Sequence, residues 1–114
     1  MIDEHNIREK INVSKFIEKL NSYGYDNIEA TKHTFFRLSE KQRKIYTEEK
    51  LKKIISTERP LEVSLQKNGN YAIIYNFKSN NQLLKILIDL GPNKVYIVTF
   101  YILNREQIKD FKNG

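Results

Sequence analysis

His33 and Arg37 are the pair in this chain whose types and spacing best suit chemistry. An imidazole titrates near neutral pH, and a guanidinium is a permanent cation that can fork onto a phosphate. Four residues apart on a helix, the two would share one face. The remaining inventory is a basic run just downstream, with tyrosines and a threonine on later strands. Together they suit metal-free cleavage of RNA. In that reaction a 2′-hydroxyl attacks the neighbouring phosphate, a base takes its proton, an acid protonates the leaving 5′ oxygen, and cations stabilise the charge on phosphorus.

Each residue also has a plainer reading. A histidine such as His33 is more often a helix-surface or capping residue than a catalyst, and an arginine such as Arg37 is most often a solvated face residue. Tyr71 and Tyr75 would line the buried face of a sheet with Ile73 and Phe77. Thr99 and Tyr101 share one face of the last strand and could be packing residues with polar tips.

Other chemistries find little support in the sequence. There is no cysteine, hence no disulfide and no thiolate zinc site. Two histidines and scattered acids form no metal-ligand pattern, and the four glycines form no phosphate-binding loop. No cofactor is expected. Met1 to Asn6 is acidic and polar, unlike a signal peptide. No apolar run approaches the roughly 18 residues of a membrane span. A soluble, cytoplasmic protein with no membrane partner is the expectation.

The net charge is +6 and the pI about 9.5. Residues 1–60 carry 13 basic and 10 acidic groups, and residues 61–114 carry 7 and 4, so each half carries +3 and no detached basic tail exists. Its densest stretch runs from Lys41 to Lys53, with Lys41, Arg43, Lys44, Lys50, Lys52 and Lys53 against Glu48 and Glu49. Such a run suits a polyanion, and Lys41, Arg43, Lys44, Lys50 and Lys53 are the RNA-binding candidates. A solvated helix surface is the plainer reading.

The elements that must position these residues follow from periodicity. Val13, Phe16, Ile17 and Leu20 mark an amphipathic helix over 7–23, with Ile7 and Ile11 extending its stripe. Asn12 or Ser14 could instead cap a shorter one, and Gly24 closes it. Residues 28–30 are a short link or strand. Thr31 would cap a second helix through about Lys44, burying Phe35, Leu38 and Ile45. Thr47 would cap a third, with Glu48 and Glu49 in its first turn and Leu51, Ile54 and Ile55 buried. From Leu61 the period becomes two. Strands are predicted over 61–65, 71–77, 82–90 and 94–103, the first pair joined by a type I′ turn at Asn68-Gly69. Asn104 would cap a last helix, 105–111.

This order predicts an α+β fold: about three helices followed by a four-stranded, mostly antiparallel β-meander, with the helices packed on one sheet face. The chain reads as a single domain over 1–114, its N-terminal helix 7–23 appended to a helix-plus-meander core over 28–111.

The pattern Thr31-x-His33-x-x-x-Arg37, then Tyr46-Thr47-Glu48-Glu49 leading into a Leu/Ile-rich helix, then strands ending in Val98-Thr99-Phe100-Tyr101, resembles the small toxin-like domains of the barnase–EndoU–colicin–RelE (BECR) ribonuclease assemblage. It spans about residues 28–103. The resemblance implies metal-independent endoribonuclease activity and an antitoxin or immunity partner. It implies His33 as acid/base, Arg37 as the phosphate contact, and Thr99 and Tyr101 as secondary catalytic candidates. The second arginine of that pattern is met only approximately, by Arg43. The alternative is a non-catalytic module of the same fold that binds nucleic acid, or a protein, through the basic helices.

Overall fold

The alternation that begins near Leu61 produces the centre of a six-stranded mixed sheet. The computed structural model describes residues 7–36, 38–77 and 82–103. In chain order these form β1 (Ile7–Ile11), α1 (Val13–Asn21), β2 (Ile28–Ala30), α2 (Glu40–Ile45), α3 (Glu48–Thr57), β3 (Glu62–Gln66), β4 (Tyr71–Phe77), β5 (Gln82–Leu90) and β6 (Val95–Leu103). The sheet order is β1-β3-β4-β5-β6-β2.

The α+β class holds, but the four-stranded antiparallel meander does not. Two further strands flank it. β1 pairs antiparallel with β3, and β2 pairs parallel with β6. Short turns forbid parallel pairing only between consecutive strands. β2 precedes both α2 and α3 in the chain, so its return to β6 has ample length.

β1 replaces the first turns of the expected 7–23 helix. Ile7 and Ile11 are four apart, a spacing that fits one face of a helix and, being even, one face of a strand. The strand prevails because β3 offers it a ladder, with a register shift between Ile7 and Glu9. Asn12 then stops the strand. Its backbone is extended, and its side chain accepts a hydrogen bond from the Lys15 N–H at 3.0 Å, so α1 starts at Val13.

Both sheet edges are managed. β1 carries Arg8, Glu9 and Lys10, and β2 is only three residues long. The Ala30 N–H of β2 is taken up by Glu48 Oε2 at 2.8 Å. Residues 12–27, including α1, carry the chain from one edge to the other. Phe16 and Leu20 of α1, Tyr46, and Leu51 and Ile55 of α3 form one core with Val63, Ile73, Tyr75, Leu84, Ile86, Ile88, Val95, Ile97 and Phe100 of the strands. Ladder registers place those strand residues on a single face. The opposite face carries a second buried cluster, Ile74, Leu83 and Leu103.

The β3–β4 hairpin also differs from expectation. The turn's hydrogen bond runs from Gly69 N to Gln66 O at 3.0 Å, which centres it on Lys67-Asn68. Gly69 follows at φ 91° and Gln66 N donates to Asn70 O at 2.8 Å. This is a three-residue loop with a left-handed glycine, in place of a two-residue type I′ turn. The expected helix over 105–111 and the turn at 79–81 lie outside the described residues.

Candidate functional site

Residues 31–36 are a chain of turns, in place of the start of a helix. Thr34 N donates to Thr31 O, Phe36 N to His33 O and Leu38 N to Phe35 O, all i to i+3 and between 3.1 and 3.3 Å. Thr31 does not act as a helix cap: its Oγ1 lies 3.2 Å from Thr34 Oγ1 and 3.5 Å from Val98 O, where a cap oxygen would accept from a backbone N–H two or three residues on, and its own N–H donates to Ile97 O at 3.1 Å. The α-helix begins only at Glu40. There Ser39 and Gln42 form a capping box, each side chain accepting from the other's backbone N–H, at 3.2 and 3.1 Å. The shared helix face expected for His33 and Arg37 therefore has no basis on the His33 side, and Arg37 lies outside the described residues.

The loop is fastened from inside by two residues. Thr34 is buried. Its Oγ1 donates to Ile97 O at 2.6 Å and accepts from Thr31 N at 2.9 Å. Phe35 packs edge-on against Phe100, with ring centroids 6.1 Å apart. With those two turned inward, His33 and Phe36 are turned outward. His33 is exposed, Phe36 is 75% exposed, and their rings lie 6.3 Å apart at 57°. Ile45, expected in the core, is also exposed.

Beside this pair stands α2. Lys41, Arg43 and Lys44 are all exposed, and so are Lys50 and Lys53 on α3. Arg43 Nη2 donates to Phe36 O at 3.4 Å, which ties the loop to the helix. Among the described residues, none of Lys41, Arg43, Lys44 and Lys53 is engaged in an ion pair. Lys52 turns away, its ammonium 4.4 Å from the centroid of the Tyr25 ring. Over 31–53 there are eight basic residues and three acidic ones, a net +5 out of the +6 of the whole chain. Glu48, one of those three acids, is occupied at the β2 edge.

Thr99 and Tyr101 do share a face, as their spacing predicts. It is the face opposite the helices, since Thr99 pairs with Leu87 and Tyr101 with Lys85, while Phe100 and Ile102 turn to the core side. Tyr101 nevertheless reaches the edge of β6. There Thr34, Leu38, Gln42, Phe100, Tyr101 and Ile102 line a cavity of about 260 Å³. His33 is not in that lining. Of the expected catalytic set, the structure brings Tyr101 next to the His33 loop through Thr34 and leaves His33 itself facing outward. Among the described residues no cluster of three or more histidines and acids could hold a metal ion, and no helix is long and apolar enough to cross a membrane.

Sequence reasoning missed Phe36 and Thr34. The signal was Ser39-x-x-Gln42, which moves the helix start and leaves 31–38 as a loop.

An α+β domain with a mixed sheet and one strongly cationic, aromatic surface is thus defined. Residues 14–87, which are 74 of the 114, match the family model described as the MJ0788 family, and the chain belongs to that family. No curated protein and no solved structure matches the chain. Nothing in these matches links it to the BECR assemblage.

Proposed function

We propose that this protein is an RNA-binding module that holds phosphates on the cationic surface formed by α2 and the start of α3. The supporting observation is the Arg43–Phe36 hydrogen bond, which sets the exposed His33–Phe36 ring pair against α2, whose Lys41, Arg43 and Lys44 are all exposed. Lysine and arginine supply a sequence-independent electrostatic grip. An aromatic group beside them supplies a surface for bases. Mobility-shift titration with total RNA at several salt concentrations tests it. Affinity should fall steeply as salt rises, and the K41E/R43E/K44E variant should bind at least tenfold more weakly with an unchanged fold. Salt-independent affinity, or full affinity in that variant, would sink the proposal.

Metal-independent cleavage is the second reading, supported by Tyr101 lining a cavity with Thr34, the neighbour of His33. Under it His33 is the acid/base group, and an antitoxin or immunity protein would cover the same cations. Incubation of RNA with the protein in EDTA tests it. Products with 2′,3′-cyclic phosphate ends that vanish in His33→Ala would establish it.

A further inference from the structure

We infer that the polynucleotide held here is single-stranded, with an unstacked base lying on the Phe36 ring and the backbone phosphates on α2. The inference rests on the RNA-binding proposal and narrows its ligand.

Phe36 is the most exposed large apolar side chain recorded among the described residues, at 75% against 49% or less for Tyr25, Ile45, Leu61 and Tyr101. It does not sit on a wandering tip. Its two neighbours in sequence toward the N-terminus, Thr34 and Phe35, are anchored to Ile97 and Phe100. Its own carbonyl accepts from Arg43. A ring held 75% exposed by a fastened backbone can meet a flat partner, with His33 beside it at 6.3 Å. Bases offer such a face when they are unstacked, and aromatic platforms next to cations are the usual means of binding single strands.

A duplex fits poorly. Its base faces are covered by their neighbours, and the major groove of A-form RNA is too deep and narrow for side chains to read. The cationic element is also too short to lie along a groove. α2 has six residues, a length of about 9 Å. The loop before it is a series of turns that can offer neither a helix nor a ribbon to a groove.

The chain has no tryptophan, so F36W installs a single reporter at the platform. Fluorescence anisotropy with a labelled oligonucleotide of about 12 nucleotides should show tighter binding of the single strand than of the same strand annealed to its complement. F36L, which keeps bulk and loses the ring, should bind the single strand about fivefold or more weakly. F36W, which keeps an aromatic ring at the platform, should bind the single strand more tightly than F36L, and its emission should be quenched by the single strand but not by inorganic polyphosphate, which carries charge without bases. RNA and DNA versions of the strand separate dependence on the 2′-hydroxyl from stacking alone. Equal affinity for duplex and single strand, an unaltered F36L, or an unquenched F36W in the bound state would overturn the inference while leaving RNA binding intact. Failure of every oligonucleotide to bind would overturn both.

Discussion

Thr34 Oγ1 donates to the carbonyl of Ile97 at 2.6 Å, and this contact fixes the outward-facing loop to the last strand. Ile97 is fully buried and sits where β2 stops pairing with β6. The hydroxyl therefore continues, by side chain, the ladder that Ala30 ends. Removing it with Thr34→Val should keep the shape and lose a buried hydrogen bond, a cost of about 1 kcal/mol. The Ile97 carbonyl keeps the Thr31 N–H, which limits the damage. A melting temperature about 4 °C lower is the expected reading by calorimetry. RNA affinity should fall as well, because His33 and Phe36 lose their anchor. An unchanged melting temperature would mean that the hydroxyl does not hold the loop.

The α2 cap offers a test that leaves every charge in place. Ser39→Ala removes the side chain that accepts from Gln42 N and breaks the capping box. Stability should drop by about 1 kcal/mol. A six-residue helix has little else to hold its first turn, so Arg43 should lose its register with Phe36. Weaker RNA binding with the formal charge unaltered would show that the cations must be positioned as well as present. Affinity equal to the wild type would show that charge alone suffices.

Tyr75 is the place where the core is imperfect. Its hydroxyl is buried with no hydrogen-bond partner among the described residues. Burial pushes its pKa well above the usual tyrosine value, with the Glu58 carboxylate adding to the rise. Tyr75→Phe discards an unsatisfied group and should be neutral or stabilising by up to about 1 kcal/mol. The pH dependence follows from the same shift. The raised folded pKa favours the neutral phenol in the fold. This contributes stability that is complete below the unfolded pKa of roughly 10 and is lost as pH rises beyond it. Urea denaturation between pH 9 and pH 11, on the order of two units, should show a shallower alkaline loss in Tyr75→Phe than in the wild type. Identical slopes would mean that Tyr75 does not drive the alkaline decline.

His33 separates the binding and cleavage readings. It is exposed and is not among the residues that line the cavity with Tyr101. On the binding account, His33→Ala should weaken RNA affinity about two- to fivefold, through loss of one ring, and should change no cleavage rate. Loss of a cleavage activity that the wild type displays in EDTA would instead make His33 a catalytic residue.

Much of the fold was legible because local signals agreed with the packing. Thr47 caps α3 and its side chain accepts from Lys50 N as its type predicts, and Leu51 and Ile55 bury the expected stripe. The strands from β3 to β6 follow their alternation. A short strand at 28–30 was legible, but β1 and the pairing of both edge strands were not. Ile7 and Ile11 are spaced for helix and strand alike, and only the ladder offered by β3 decides between them. Residues 28–30 are too few to show a period, and their pairing partner lies far along the chain. At the site, Thr31 looked like a cap because its hydroxyl precedes an apolar pattern. Its hydroxyl instead meets Thr34 Oγ1 and Val98 O, and its N–H meets Ile97 O; the two contacts with the last strand are invisible in one dimension. The cations were readable from composition. The outward turn of Phe36 was not, because it depends on Thr34 and Phe35 finding partners on β6.

The central claim is that one surface, formed by the His33–Phe36 loop, α2 and the start of α3, meets RNA. Amide chemical-shift mapping reads this directly. The isotope-labelled protein is titrated with a single-stranded RNA and the ¹H–¹⁵N spectrum is followed. The account predicts that the largest progressive shifts fall on amides between Lys32 and Lys53, and that they diminish as salt is added. Shifts concentrated on α1 or on the strands β3 to β5, or a spectrum that RNA leaves unchanged at low salt, would contradict it.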